Sequence, residues 1–428
     1  MPPGTEPTAP AGRAGADSQI DGNSDGRIRW GRVLLVSMSG VVSHTFGRST
    51  VAVLLPAMAD DLDLSSTAAG ALGSVNLGSY FLGVVVVTLV VGRIEPFVLL
   101  RVGVAVVAVG LAVLAVAGNT TAVLAGTALS GLGGAGIWLT VPIIVVEGVP
   151  SHRRGVVMGM LTATMGAGFV GVPVATTALR AVSDDDGVWR PIWLWEVGGT
   201  VLLLALLWAL VRVRPTERIA GGGGLATLRR FAGWKRIVAA YMAFAWLAAS
   251  FGQFLGLALE HGHGFSREFA TLLFSAMGVG SLLGAIGFGR LSDRLGRPRT
   301  MALVMGVAAG AAVVVPYGGR SAIAAAVVLF GSTAFAYPAL MATFVRDRVA
   351  DRSFTAVFGT MTLFYGPASV AGPAVSGVLV DSTGGYAATY LVVGVLGAFA
   401  AVCMATLGRA DGNSGAVPDT VPDGAAGD

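Results

Sequence analysis

Twelve times between residues 31 and 408 the chain runs apolar for about the length of a bilayer crossing. The runs cover 31–58, 68–92, 97–118, 121–147, 156–180, 191–212, 236–259, 269–288, 300–316, 321–344, 354–379 and 386–408, the ninth being the shortest. A helix needs about 20 predominantly apolar residues to span the hydrocarbon core. In lipid every backbone polar group must be satisfied internally, which leaves only helices and closed barrels, and a barrel would show alternating segments of about ten residues. The expected fold class is therefore an all-α membrane protein with twelve transmembrane helices. Composition agrees: 12% of residues are charged, against about 25% in an ordinary soluble domain. The 63 glycines suit close helix packing in lipid. Only Gly118-Asn119-Thr120 separates the third and fourth runs, which predicts a tight hairpin.

Charge sets the orientation. The two termini and the loops after even-numbered helices hold 23 of the 28 Lys and Arg residues. The positive-inside rule places both ends of the chain in the cytoplasm, so the chain is expected to be a multi-pass protein of the cytoplasmic membrane. The opposite loops carry Asp60, Asp61, Asp63 and Asp184 to Asp186. A pI near 9.6 would suit a nucleic-acid partner. Here the basic residues sit in short loops rather than on one face, so no nucleic acid is expected. Residues 1–29 and 409–428 are rich in Gly, Pro, Ala and Asp and read as disordered cytoplasmic tails. The first is not a secretory signal, lacking the basic start and short apolar core. Cys403 is the single cysteine, so no disulfide can form within the chain.

The chain divides at 213–235, a segment with a Gly221–Gly224 run and a basic end that reads as a flexible linker. It separates a bundle over 30–212 from another over 236–408. A shift of 200 residues lays helix 5 on helix 11: Val157 on Val357, Gly159 on Gly359, Thr162 on Thr362, Gly166 on Gly366, Val170 on Val370, Pro173 on Pro373 and Leu179 on Leu379. Gly131 falls on Gly331, and Gly92-Arg93 corresponds to Gly289-Arg290 at a shift of 197. The expectation is two pseudo-symmetric six-helix bundles with a site between them at mid-membrane.

Between helices 8 and 9 the chain reads Gly289-Arg290-Leu291-Ser292-Asp293-Arg294-Leu295-Gly296-Arg297-Pro298-Arg299. This turn resembles the G-x-L-[GAS]-D-R-x-G-R signature of the major facilitator superfamily. The resemblance implies that the two halves rock about a central site. It also implies that Asp293, Arg294 and Arg297, with the turn glycines Gly289 and Gly296, hold the cytoplasmic side closed in one state. The equivalent loop of the first half departs from the pattern, with Pro96 at the position matching Asp293. Phe46-Gly47-Arg48, Leu54-Leu55-Pro56-Ala57-Met58 and Asn76-Leu77-Gly78-Ser79-Tyr80 further resemble the YbfB-type branch, which implies no particular substrate. Helix 5, with Gly166, Gly168, Gly171 and Pro173, resembles the superfamily's antiporter motif but has Val172 where that motif has Gly.

Arg48 is the most anomalous residue for a lipid-spanning run. A central Arg costs about 2.5–3.5 kcal/mol on insertion scales, and such residues face a cavity or a partner. Either Arg48 binds an anionic substrate group, or it ties helices together structurally. His44 lies one turn earlier on the same face. Asn76 and Tyr80, spaced i and i+4, join Trp138, Gln253, Tyr337 and Tyr365 as candidates to line the site; interhelical hydrogen bonding and packing are their alternative roles. Glu196 is the proton-coupling candidate, or pairs with Arg48. Glu147 could pair with Arg153 or Arg154. Pro173, Pro367 and Pro373 are expected to bend helices 5 and 11. His261-Gly262-His263 lacks a fixed four-ligand metal set. No G-x-x-x-x-G-K-[ST] loop marks ATP drive, and no clustered catalytic set marks an enzyme.

The expected function is secondary active transport of a small molecule by alternating access, coupled to protons, with export suggested by helix 5. The protein would work as a monomer in membrane lipid without a cofactor. The competing expectation is a receptor or sensor on the same fold that binds its ligand without moving it.

Overall fold

The computed structural model describes residues 30–90, 93–147, 149, 153–180, 189–211, 224–231, 233–334, 336–349 and 351–413. Twelve long helices dominate it. Helix α1 comprises Trp30–Val41, a π-helical Val42–Ser49 and Thr50–Leu62. It is followed by α2 (Ser66–Val90), α3 (Pro96–Ala115), α4 (Thr120–Val146), α5 (Arg154–Arg180) and α6 (Trp189–Leu210). The second half consists of α7 (Trp234–Gly262), α8 (Arg267–Leu295), α9 (Arg297–Tyr317), α10 (Arg320–Arg346), α11 (Asp351–Thr383) and α12 (Ala387–Asn413). Eleven of these are long and apolar enough to cross a membrane as they stand, and α1 is the twelfth, interrupted by its polar π-helical turn.

Local sequence explains the ends. Asn119 caps α4, its side chain accepting from Ala122 N at 2.9 Å, and completes the expected α3–α4 hairpin. Gly296 adopts φ +84°, a conformation that side chains disfavour, and lets α8 turn directly into α9 with Pro298 in the first turn. The expected span 300–316 therefore falls short: Arg297 and Arg299 belong to the first turn of α9, which has 21 residues. Arg101, buried in α3, donates to the terminal carbonyls of Leu207 and Val211 at 3.0 and 2.7 Å and lies 4.4 Å from the Trp208 ring centre, which anchors the end of α6. Part of the expected flexible linker is helical, over Gly224–Arg229, with Leu228 fully buried in the second half's core. The rest of it, through 223, the tail 1–29 and residues 414–428 of the expected tail 409–428 lie outside the described residues, whereas 409–413 continue the last helix.

Each half builds its own apolar core. One cluster runs from Val33 to Val211 with three residues borrowed from the other half, Phe254, Leu257 and Val380. The other runs from Leu228 to Leu407 and borrows Ala52 and Val53. The halves meet along α2–α11 and α5–α8, and the two seams are related by nearly the shift seen in the sequence, 201 residues from α2 to α8 and 200 from α5 to α11. Ser74 Oγ donates to Val370 O at 2.7 Å in one, and Ser275 Oγ to Val170 O at 3.4 Å in the other. Gly366 makes room for Phe81, and Gly166 for Leu282. Within each half, Gly131 lies against the Asn76 carbonyl and Gly331 against that of Met277.

Candidate functional site

The π-helical turn of α1 contains His44 and Arg48. A π turn widens the helix and leaves carbonyls without their usual i+4 donors. Local side chains repair this: Ser49 Oγ donates to His44 O at 3.0 Å, and Thr50 Oγ1 lies 3.2 Å from Thr45 O. Asn76 Nδ2 reaches across from α2 to Gly47 O at 2.9 Å and to Thr127 O of α4 at 3.2 Å. Of the two roles open to Asn76, the structure displays the interhelical one. Ser43 Oγ donates to Gly134 O at 3.0 Å, completing the attachment of the turn to α4.

Fixed in this way, the turn presents two unpaired groups. The His44 ring sits 4.4 Å from that of Trp138, and its Nδ1 is buried without a hydrogen-bond partner. Arg48 is half-buried and makes no ion pair or hydrogen bond among the described residues. Tyr80 lies with Ser43 of the turn against Gly134, and its chain neighbour Phe81 packs on Gly366, next to Tyr365 in the second half. The Tyr365 ring is 5.0 Å from Tyr241 and 6.5 Å from Phe244, and Phe244 is 4.7 Å from Tyr337. The first half thus contributes His44, Arg48, Trp138 and Tyr80, and the second an aromatic group from α7, α10 and α11 in which Tyr337 is fully buried. Tyr241 and Phe244 had no signal in the sequence beyond membership of an apolar run.

The other candidates lie elsewhere. Gln253 Nε2 donates to Ala69 O at 2.8 Å, a tie between α7 and α2. Glu196, fully buried, has Thr50 Oγ1 at 2.6 Å from its Oε1 while its Oε2 has no partner. The expected alternative pairing with Arg48 is not what the described residues display. Glu147 is bound by Arg32 at 2.6 Å, because the start of α1 lies beside the end of α4; among the described residues Arg153 does not reach it, and the Arg154 side chain lies outside them. His261 faces Asp60, whereas His263 Nε2 donates to Val315 O at 2.7 Å, so the two imidazoles diverge. Pro173, Pro367 and Pro373 sit inside α5 and α11, each of which is one helical element through them.

The two ends of the bundle differ. At the end holding the loops after odd-numbered helices, Asp60 accepts from Arg267 at 3.1 Å and meets His261 at 3.1 Å. There Asp381 of α11 caps α2, accepting from Ser66 N at 3.0 Å, Thr67 N at 2.8 Å and Thr67 Oγ1 at 2.5 Å. At the opposite, basic end, Asp293 pairs with Arg297 at 2.8 Å, and Arg297 also reaches Asp347 at 3.4 Å and Ser292. Those groups all belong to the second half. Among the described residues, the polar ties between halves lie between mid-membrane and the acidic end.

A family model described as "Uncharacterised MFS-type transporter YbfB" matches residues 41–405. No curated protein matches the chain by sequence. Solved structures share the fold. A bacterial homolog of the human lysosomal transporter Spinster, inward-facing and unoccupied, is 15% identical with a TM-score of 0.72, over 91% of this chain and 98% of that one. The nucleoside transporter NupG is 12% identical with a TM-score of 0.71, over 89% and 98%. The E. coli fucose:proton symporter FucP is 13% identical with a TM-score of 0.60, over 88% and 98%.

Proposed function

From the premise that the chain belongs to the YbfB-type family of the major facilitator superfamily, we propose that it is a proton-coupled secondary transporter of a small molecule, captured here open toward the cytoplasm. The observation that carries this reading is the position of the ties. The two halves are joined from mid-membrane to the acidic end, and Arg48 and the aromatic rings lie on the other side of that seam. If the arginine-rich loops are cytoplasmic, the site communicates with the cytoplasm. The inward-facing conformation of the Spinster homolog supports the same reading.

Coupling would run through Glu196. A protonated Glu196 donates to Thr50, leaving the Thr50 hydroxyl proton for Thr45 O. An ionised Glu196 takes that proton, and Thr45 O then keeps only the Thr50 backbone N–H. Proton binding therefore changes the hydrogen bonding of the turn that holds His44 and Arg48. Direction, export included, follows from whether release of the proton loosens or tightens the substrate site. The test is flux in vesicles containing the purified protein, with and without an imposed pH gradient. Accumulation that follows the gradient is expected. Ligand binding with no flux under either condition would favour the receptor on the same fold.

A further inference from the structure

The geometry points to an aromatic monoanion as the substrate, its carboxylate on Arg48 and its ring among Trp138, Tyr80, Tyr241 and Tyr365. This rests on the reading of the central cluster as the transport site and goes further by naming what fits it.

Charge is the first argument. Arg48 lies near mid-membrane, half-buried, with no counter-ion among the described residues. The sequence offers one carboxyl in the central part of the described helices, Glu196, and Thr50 holds it. A cation so placed and left unpaired is costly, and an arriving carboxylate would match the guanidinium fork with two parallel hydrogen bonds. Among the described residues Arg48 is the one such cation. A phosphate monoester or dicarboxylate would bring a second charge with no partner, and an amine would meet Arg48 with like charge.

Hydrogen-bond inventory is the second. His44 Nδ1 is unpartnered, and among the described residues the hydroxyls of Tyr80, Tyr241 and Tyr365 make no hydrogen bond. These groups, with the five donors of Arg48, suit a ligand rich in acceptors.

Shape is the third. The His44–Trp138 pair at 4.4 Å and the Tyr241–Tyr365 pair at 5.0 Å set flat faces on both halves of the molecule. Aromatic rings gain from offset or edge contacts with such faces beyond simple burial. A ligand touching both groups would also link the halves, as alternating access needs. An uncharged sugar could use the rings but would leave Arg48 unpaired.

The test is titration calorimetry on the full-length protein in lipid nanodiscs. The probes are benzoate, 4-hydroxybenzoate, phenylacetate and indole-3-acetate, with cyclohexanecarboxylate, benzylamine and benzyl phosphate as comparators. At least one aromatic acid should bind, severalfold tighter than cyclohexanecarboxylate, and the amine and phosphate should not compete. Arg48→Gln should weaken binding about ten- to hundredfold, the usual scale for a lost charged hydrogen bond. Tyr365→Leu should cost about two- to tenfold and narrow the gap between aromatic and aliphatic acids. If Arg48→Gln fails to fold, the wild-type panel and Tyr365→Leu decide. Tighter binding of the amine, the phosphate or the aliphatic acid, or binding of none of the acids at millimolar concentration, overturns the assignment. Aromatic acids that bind but are not carried in vesicles would support the ligand class while sinking the transport reading; flux of an amine or a sugar would do the reverse.

Discussion

A hydroxyl has one proton to give, and at Thr50 two oxygens compete for it, Thr45 O at 3.2 Å and Glu196 Oε1 at 2.6 Å. Glu196→Gln keeps a hydrogen-bonding amide at that spot but fixes its charge at zero. Binding of substrate should change by less than about tenfold, or 1.4 kcal/mol. Gradient-driven accumulation should fall to the level seen without a gradient, and exchange of labelled for unlabelled substrate should persist. Full gradient-driven uptake by the variant would remove Glu196 from the coupling path. Asp293 invites the opposite kind of prediction. Its carboxyl is exposed and, among the described residues, paired with Arg297 across the α8–α9 turn, and exposed pairs are worth about 0.2–1 kcal/mol. Asp293→Ala should therefore leave the unfolding midpoint nearly unchanged and lower transport if the turn closes the basic end in the other state. Wild-type flux would show that the turn has no gating role. Arg48 and Glu196 are conspicuous in sequence because a charge in an apolar run is costly wherever it ends up. Their surroundings are not readable there, since the oxygen that Thr50 approaches lies 146 residues away and Arg32 lies 115 from Glu147.

At the scale of the helix, the spans were readable because bilayer thickness fixes their length, and the cap at Asn119 because its chemistry is local. The π turn of α1 was not. It is held partly by remote groups, Asn76 above all, and no side-chain period announces them. The glycine repeat was readable as a pattern but not as a cause, and the structure sorts its members. Gly131 and Gly331 each face a neighbouring helix's carbonyl so closely that a Cβ has no room. Gly159 and Gly359, in equally good register, have nothing within 4 Å. Gly131→Ala and Gly331→Ala should each destabilise by about 1–3 kcal/mol, the range for overpacking. Gly159→Ala and Gly359→Ala should be neutral or slightly stabilising, since Ala favours helix over Gly. Denaturant unfolding of the four variants measures this. Equal effects across all four would mean that the repeat records helix propensity and not packing.

For the whole molecule, the internal repeat, at a shift of 200 or 201 residues, relates two seams that need not stay equal. Both are held at mid-membrane by a serine donating to a valine carbonyl, Ser74 to Val370 and Ser275 to Val170. Beyond those points, toward the acidic end, α2 and α11 gain the Asp381 cap. That cap exists only while the halves are together there; when they part, the start of α2 keeps only Ser65, whose Oγ accepts from Ala68 N at 3.1 Å. The cap therefore stabilises one state and not the other, which is what allows a local bond to move a global equilibrium. Replacing a helix cap by Ala costs about 1 kcal/mol, so Asp381→Ala should shift the ratio of the two states by roughly fivefold toward opening at the acidic end. The measurement is labelling from each side of the membrane by an impermeant maleimide at a cysteine placed at Tyr365, in a Cys403→Ser background. Asp60→Asn, which weakens an exposed link to Arg267 and His261, should act in the same direction but by less, and its effect should shrink as salt rises because screening already weakens the wild-type pair. Labelling from the basic side that stays unchanged in both variants would mean that packing along α2–α11 and α5–α8, and not these polar ties, holds that end shut.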